Sequence, residues 1–429
     1  MRRVTSSPET RVERDALGAV EVPAGALYGA PTVRAIANFG VSRATMADEL
    51  ELVAALAYVK AAAARANLAA GELKAELAAA IVAAAHEVAT GAHRHEFPID
   101  VMHGGGGTAV NMNVNEVIAN RANELLGGAR GTYDRVHPND HVNRSQSTND
   151  VYPTALALAT HIVGGETLER VELLEDALLA KAEEAGEAVH LGRTCLQDAV
   201  PLRIADTHRG QAHALGRTAD ALASAHSALL AVPLGATAVG TGIGASEAYR
   251  AAVLPLLAEE TGLGVRPSPN LFDALAFNDV FFDIAAQLYR VSSVVARIAS
   301  DLRLLASAPI AEVRLPAVQV GSSIMPGKVN PVLPELVMQS HMQVQGVLAT
   351  VGAAVGAGEL ELNVMEPVVA RHLLGAMREL GRTVALFAER CVTGLEWDLE
   401  AVDANLAGSR AGAIERAAVD GYDAVTKGA

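Results

Sequence analysis

Apolar residues recur at helical spacing over most of the chain. Between residues 47 and 92, Ala, Leu and Val run with charges at helical intervals, and the pattern is interrupted near Gly71. Further helix-compatible stretches fall at 153–187, 204–230, 247–260, 272–307 and 333–356. Most exceed the ~11–12 residues of an average globular helix. Segments this long, with wide apolar faces, predict members of a large bundle that buries most of their surface. Strand candidates are few and short, so the predicted fold is mostly α. No fixed-period repeat or low-complexity segment is visible. The punctuation is glycine-rich instead, at 104–107, 235–244, 321–327 and 356–358. Loops of this kind between helices either cap helix ends or carry function.

Composition narrows the function classes. At roughly 150 residues per domain, 429 residues suggest about three, though one large helical domain would also fit. A hydrophobic share of 51% excludes a disordered chain, and much of it is Ala, which lets helices pack closely. The net charge of −15 argues against nucleic acid and anionic membrane surfaces as partners. A small dianionic substrate would then need local positive charge. The most apolar stretches noted, 77–85 and 229–240, fall short of the ~20 residues of a membrane span. Met1-Arg2-Arg3 is followed by polar residues, which argues against a signal peptide. Two cysteines, Cys195 and Cys391, build no disulfide framework and suit a reducing compartment, so a cytoplasmic location is expected. Cys391 reads as a packed core thiol.

Four stretches carry candidate chemistry. Gly321-Ser322-Ser323-Ile324-Met325-Pro326-Gly327-Lys328-Val329-Asn330-Pro331 joins two helical stretches with a mobile start and two prolines. Such a loop can close over a small anion, bringing Ser322 to a reacting carbon and Lys328 and Asn330 to a carboxylate. His103 is followed by four glycines, Thr108, and the run Asn111-Met112-Asn113-Val114-Asn115, a ready anion cradle at a helix start. From His137 to Asp150 every side chain except Val142 is polar or proline, including Asn139, Asp140, Ser147, Thr148 and Asn149 just before a long apolar helix. Capping would explain one or two of these, not the whole run. Lastly, Thr194, Cys195, Gln197 and Asp198 place a hydroxyl, a thiol, an amide and a carboxylate together. No CxxC and no histidine at metal spacing accompany them, so a zinc site is not expected. A cysteine nucleophile would lack a local signature.

Together these residues resemble the aspartase/fumarase superfamily. The Gly321–Pro331 stretch looks like its signature loop. Glu21-Val22-Pro23, Tyr28-Gly29, the Asn111 and His137 runs, and residues 192–199, 237–242 and 362–367 look like further blocks in the family's order. The resemblance covers about residues 12–399. It implies a homotetramer with a central bundle of long helices and active sites shared between subunits. It also implies anti elimination from a succinyl-type substrate, a small dicarboxylate, without metal or cofactor. Along the chain it implies an N-terminal, mainly helical domain (1–141), a central long-helix domain (142–395) and a shortened C-terminal domain (396–429). By this likeness Ser322 is the general base, Lys328 and Asn330 hold a carboxylate, and Thr108, Ser147, Thr148, Asn149 and Thr194 line the pocket. Asn113, His137, Asn139, Asp140, Ser323, Met325 and Glu335 are expected to support it. The removed Cβ proton is very weakly acidic, so the site must stabilise a doubly charged aci-carboxylate. It must also lower the Ser322 pKa, through loop N–H groups and nearby cations.

Within the family, Thr148 in Gln146-Ser147-Thr148-Asn149, Glu366 before Pro367 and Gly106 favour a carbon–nitrogen lyase that releases ammonia, or an amine, from L-aspartate or a derivative. Residues 272–276 and 121–124 resemble the hydratase branch, which acts on malate and fumarate. Cys195 stands where the hydratase branch carries a histidine and the ammonia-lyase branch a histidine or a glutamine. A water-activating relay through a carboxylate such as Glu335 would then be lost. Cys195 itself could donate a proton or shape the pocket, and with Ala109 it leaves a modified aspartate open. A catalytically silent scaffold is the reading from another class, and the intact signature loop argues against it.

Overall fold

The computed structural model describes residues 9–427, and the opening segment read above for a leader lies outside them. The helical periodicity is realised. The longest helices are Thr148–Glu184, Asp279–Leu305, Ile204–Ala228, Val332–Val355 and Glu366–Phe387. At 37 residues the first spans about 55 Å. It begins five residues before the predicted start, because Pro153 sits in its second turn rather than at its first position. That placement removes one backbone bond, a tolerable loss near an N-terminus. The last of the five was not anticipated from the sequence.

The described chain gathers into two compact units, each built from three separate segments. One comprises Met1–Gly164, Ala225–Ala285 and Val347–Gly375. Its centre is the Leu50–Ala69 helix, which packs against Ala75–Ala89 and Glu247–Thr261, while Ala75–Ala89 packs in turn on Thr108–Leu125. Gly71, with φ +75°, ends the first of these, and Asn67 O accepts the N–H groups of Glu72 and Leu73. This is the predicted interruption. An antiparallel hairpin of Thr10–Asp15 and Gly18–Pro23 flanks the Ala30–Asn38 helix.

The Leu50–Ala69 helix corrects the reading of apolar stretches. By length and hydropathy alone it could cross a membrane, but 72% of its apolar window is buried inside the fold, and it carries Lys60 with no exposed surface. Most of its residues are buried, and the half-buried ones include Ala54 and Tyr58 as well as Glu51 and Arg65, so no continuous polar face marks it out.

The other unit comprises Gly165–Ser224, Ala286–Gly346 and Ala376–Ala429. It contains an antiparallel hairpin, Val189–Thr194 with Gln197–Arg203, and a short pair of Val313–Arg314 with Glu396–Trp397. The Leu399–Ala407 helix packs on the first hairpin strand. Cys391 is a free, buried thiol whose pKa burial pushes up to about 12, as expected of a core residue.

Candidate active site

The candidate residues fall into two groups, one in each unit. In the first, the glycine run makes a tight turn: Gly105, Gly106 and Gly107 all have left-handed φ, at +86°, +58° and +85°. Gly107 caps the Thr108–Leu125 helix, and a Cβ there would lie 2.2 Å from Cδ2 of the buried Tyr152 ring. Only glycine lets the turn sit this close. Thr108 is the first helical residue, and its exposed hydroxyl donates to Gly105 O at 2.9 Å. Beneath the turn, His103 is buried and burial lowers its pKa, while its Nδ1 lies 3.0 Å from Asp100 O. Glu366 is fully buried, accepts from Asn278 Nδ2 at 3.0 Å, and is pushed up to about 8 by burial.

The asparagine run is helical, so its residues do not share one face. Asn111 and Asn115, four apart, point the same way, and both donate to Asn143 Oδ1 at 3.2 Å. Asn111 Nδ2 also donates to Thr148 Oγ1 at 2.9 Å. Asn113 instead donates to Glu96 O, tying the helix to the 94–96 turn. The same Asn143 oxygen accepts from Lys60 Nζ at 2.9 Å, and Lys60 donates a second bond to Gln146 Oε1 at 3.0 Å. Burial lowers the Lys60 pKa to about 7, with the Asp150 charge opposing.

Asp150 is likewise fully buried, and burial pushes it up to about 6 against three backbone N–H donors. Those donors are Ser147, Gly235 and Thr237, at 2.9, 3.0 and 2.9 Å. One carboxylate therefore holds the start of the Thr148–Glu184 helix and the glycine-rich 235–244 loop together. Asn149 Nδ2 donates to Ala238 O of that loop at 2.8 Å, and Ser147 Oγ accepts from Asn149 N. Nearby, His137 Nδ1 accepts from the N–H groups of Asn139 and Asp140, capping the Pro138–Val142 turn.

The second group lies in the other unit. The signature loop folds on itself: Gly321 N donates to Lys328 O at 2.8 Å, and Asn330 Nδ2 donates to Gly321 O at 2.7 Å. A Cβ on Gly321 would meet Lys328 O and Asn330 N at 2.8 Å, so glycine is required there too. Ser322 Oγ accepts the N–H groups of Met325 at 2.9 Å and Ile324 at 3.2 Å. Two converging donors favour an anionic oxygen, the feature a serine base needs. Ser323, Met325 and Lys328 are exposed. Glu335, in the first turn of the Val332–Val355 helix, lies 4.0 Å from Arg303.

Thr194 and Gln197 face each other at the end of the hairpin, so Cys195 and Leu196 are its two turn residues. Both have positive φ, +55° and +59°. That is the twist of a type I′ turn, usually made by Asn-Gly, here built from two side-chain-bearing residues at a steric penalty. Cys195 is exposed. Close to its turn the hairpin is clamped by buried Glu312, which accepts from Arg193 at 2.6 and 3.1 Å and from Asn405 at 2.9 Å. Burial works to raise the Glu312 pKa, but these donors outweigh it and lower it. A cavity of about 550 Å³ beside the hairpin is lined by His190, Arg193, Thr194, Cys195, Thr207 and Arg297, among others.

Residues 18–346 match the family described as Lyase. An aspartate ammonia-lyase of a Bacillus species is 40% identical over 90% of this chain and 83% of its own length. The class II fumarate hydratase of Myxococcus xanthus is 42% identical over 94% and 86%. Among solved structures, a fumarate lyase:delta crystallin from Brucella melitensis superposes with a TM-score of 0.95 at 42% identity, covering 98% of this chain and 92% of that one. The class II fumarase of Schistosoma mansoni gives 0.94 at 35% identity, with 98% and 91% covered. The chain belongs to the aspartase/fumarase superfamily of lyases. Relatives named for ammonia release and for hydration match it about equally, so the superfamily is shown and the branch is not. The superfamily match spans both groups of candidate residues, from Thr108 to Glu335. Lys60 and Glu312 were missed in the sequence, since each sits in a pattern that reads as ordinary helix or strand, while Asn143 and Asp150 lay in the flagged polar run without a role of their own.

Proposed function

We propose that this enzyme is a carbon–nitrogen lyase that eliminates ammonia, or an amine, from L-aspartate or an aspartate derivative to give fumarate or its analogue. The carrying observation is the pairing of Ser322, whose Oγ receives two backbone N–H groups, with a thiol rather than an imidazole at position 195. An ammonium group leaves as neutral ammonia with no proton delivered to it. A hydroxyl must be protonated to leave as water. A site with no imidazole at the hairpin tip is therefore suited to the first departure more than the second.

In this reading the Ser322 oxygen, as an alkoxide, takes the Cβ proton. The electron pair moves into the adjacent carboxylate, giving the aci-carboxylate, and then returns to form the double bond as the C–N bond breaks. The loop N–H groups stabilise the alkoxide before proton transfer. Lys328 and the second N–H of Asn330 bind a carboxylate, and Thr108, Ser147, Thr148, Asn149 and Thr194 bind the remainder of the dianion. We further propose a homotetramer in which neighbouring subunits complete each pocket, as the family resemblance implies, and a shaping rather than proton-donating role for Cys195.

A second reading, hydration of fumarate, is supported by the identity to class II fumarate hydratases. Offering L-aspartate and L-malate separately and following fumarate by ultraviolet absorbance separates the two. Fumarate from aspartate alone is expected. Fumarate from malate alone would replace this reading with the hydratase, and silence with both would favour a modified aspartate admitted beside Cys195 and Ala109.

A further inference from the structure

Lys60 is the most deeply buried cation among the described residues, and the mechanism above does not use it. It has no exposed surface, on a mostly apolar helix that also carries Glu51, Arg65 and Asn67, and its nitrogen donates to two side-chain amide oxygens, of Asn143 and Gln146. Burying a lysine is unfavourable, so the position calls for an explanation. The explanation lies in what its bonds do to the amides.

An amide side chain has a donor end and an acceptor end, and its neighbours decide which faces where. A lysine nitrogen donates both of its bonds here whether or not it carries a third proton. Asn143 must therefore turn its oxygen toward Lys60. Its nitrogen then donates to Gln146 O at 3.3 Å, and Gln146 turns its own nitrogen to Val142 O at 2.9 Å. With an oxygen fixed at the hub, Asn111 and Asn115 can meet it only with their nitrogens. Asn111 consequently presents a donor to Thr148 Oγ1 as well. A hydroxyl that accepts on one side keeps its hydrogen free for the other. The whole chain of bonds lies within one compact unit.

We propose that Lys60 is a positioning residue that sets the donor–acceptor direction of the Asn143–Asn111–Thr148 relay, so that the Thr148 hydroxyl donates to a substrate carboxylate. The proposal rests on the reading of Thr148 as a substrate contact. The buried oxygens of Asn111 and Asn115 have no partner, which agrees with amides held in this sense by the hub rather than by their own acceptors. Without Lys60, Asn143 is free to turn over. Asn111 could then follow and capture the Thr148 hydrogen.

The test is a double-mutant cycle on the full chain with L-aspartate as substrate, joined to fumarate binding by calorimetry. Thr148→Val removes the hydroxyl, and Lys60→Met removes the donor while keeping the shape. A lost hydrogen bond to a charged group corresponds to a rise of about 10-fold or more in KM and in the fumarate Kd. Each single variant is expected to show it, and the double variant is expected to be no worse than Thr148→Val alone. Asn111→Asp is a second route that leaves the buried cation in place. It puts an acceptor-only group against Thr148, so it is expected to raise KM and to lose that effect when combined with Thr148→Val. It serves alone if Lys60→Met fails to fold.

Additive effects, or a folded Lys60→Met with KM and Kd within about two-fold of wild type, would overturn the relay. If Thr148→Val itself leaves KM and Kd unchanged, the fault lies in the substrate-contact reading, and the relay falls with it. A merely structural Lys60 would lower thermal stability while leaving both constants unmoved.

Discussion

Replacing Gly107 with Ala probes the geometry on which the first group of candidate residues depends. Two separate penalties apply. The left-handed φ of +85° costs an L-residue about 1–2 kcal/mol. The new methyl would lie 2.2, 2.4 and 2.7 Å from Cδ2, Cγ and Cε2 of Tyr152, a ring with no exposed surface. Forcing a methyl into a packed core costs about 1–3 kcal/mol more. The sum is about 2–5 kcal/mol. Gly105 supplies the internal control, since its φ of +86° is nearly the same but a Cβ there meets nothing within 4 Å. Gly105→Ala should therefore cost only the first penalty, about 1–2 kcal/mol. Urea unfolding of both variants at one fixed protein concentration reads the difference from the midpoints. Because the turn presents Thr108, the Gly107 variant should also raise KM more than the Gly105 variant does. Equal destabilisation of the two, within about 0.5 kcal/mol, would refute the argument that the Tyr152 ring is what makes glycine obligatory.

Three further outcomes follow from the buried charges and the hairpin. Arg193→Met should destabilise the fold by about 3–5 kcal/mol by leaving buried Glu312 without its paired donors, read by thermal or urea unfolding; a loss under 1 kcal/mol, about the median for an exposed pair, would contradict it. Glu366 holds its proton up to about pH 8 in the folded chain but only to about 4.5 when unfolded, so wild-type stability falls as pH rises through that window. Glu366→Gln keeps an acceptor for Asn278 and removes the titration. Its stability relative to wild type should rise by roughly 4 kcal/mol between pH 5 and pH 9, and a flat difference would count against the assigned shift. Cys195→Asn suits the left-handed turn better and should stabilise the hairpin by up to about 1 kcal/mol while keeping turnover within a few-fold; loss of turnover would reassign Cys195 as a proton donor.

Much of this was legible in the sequence, for identifiable reasons. Helices showed because their apolar spacing is local, and the signature loop showed because Gly321, Ser322, Lys328 and Asn330 have few other reasons to occur together. The Val189–Arg203 hairpin did not show, because its turn is Cys195-Leu196 where Asn-Gly would have announced it. The even spacing of Asn111, Asn113 and Asn115 suggested one polar edge. The helical twist sends the middle one toward Glu96 and leaves the outer two at the Asn143 hub. Lys60 was silent because a lysine in a helical pattern reads as the solvent side. The six segments that make two units were also invisible, since periodicity carries no information about which distant segments meet.

The central claim is that the Ser322 oxygen removes the Cβ proton, and Ser322→Ala tests it most directly. Purified wild type and variant would be offered L-aspartate under identical conditions, with fumarate followed by ultraviolet absorbance and folding checked by circular dichroism. Wild type should release fumarate, and a folded Ser322→Ala should lose at least about 100-fold in kcat, the usual minimum for removing a general base. A folded variant that keeps wild-type turnover would contradict the assignment of Ser322 as the base.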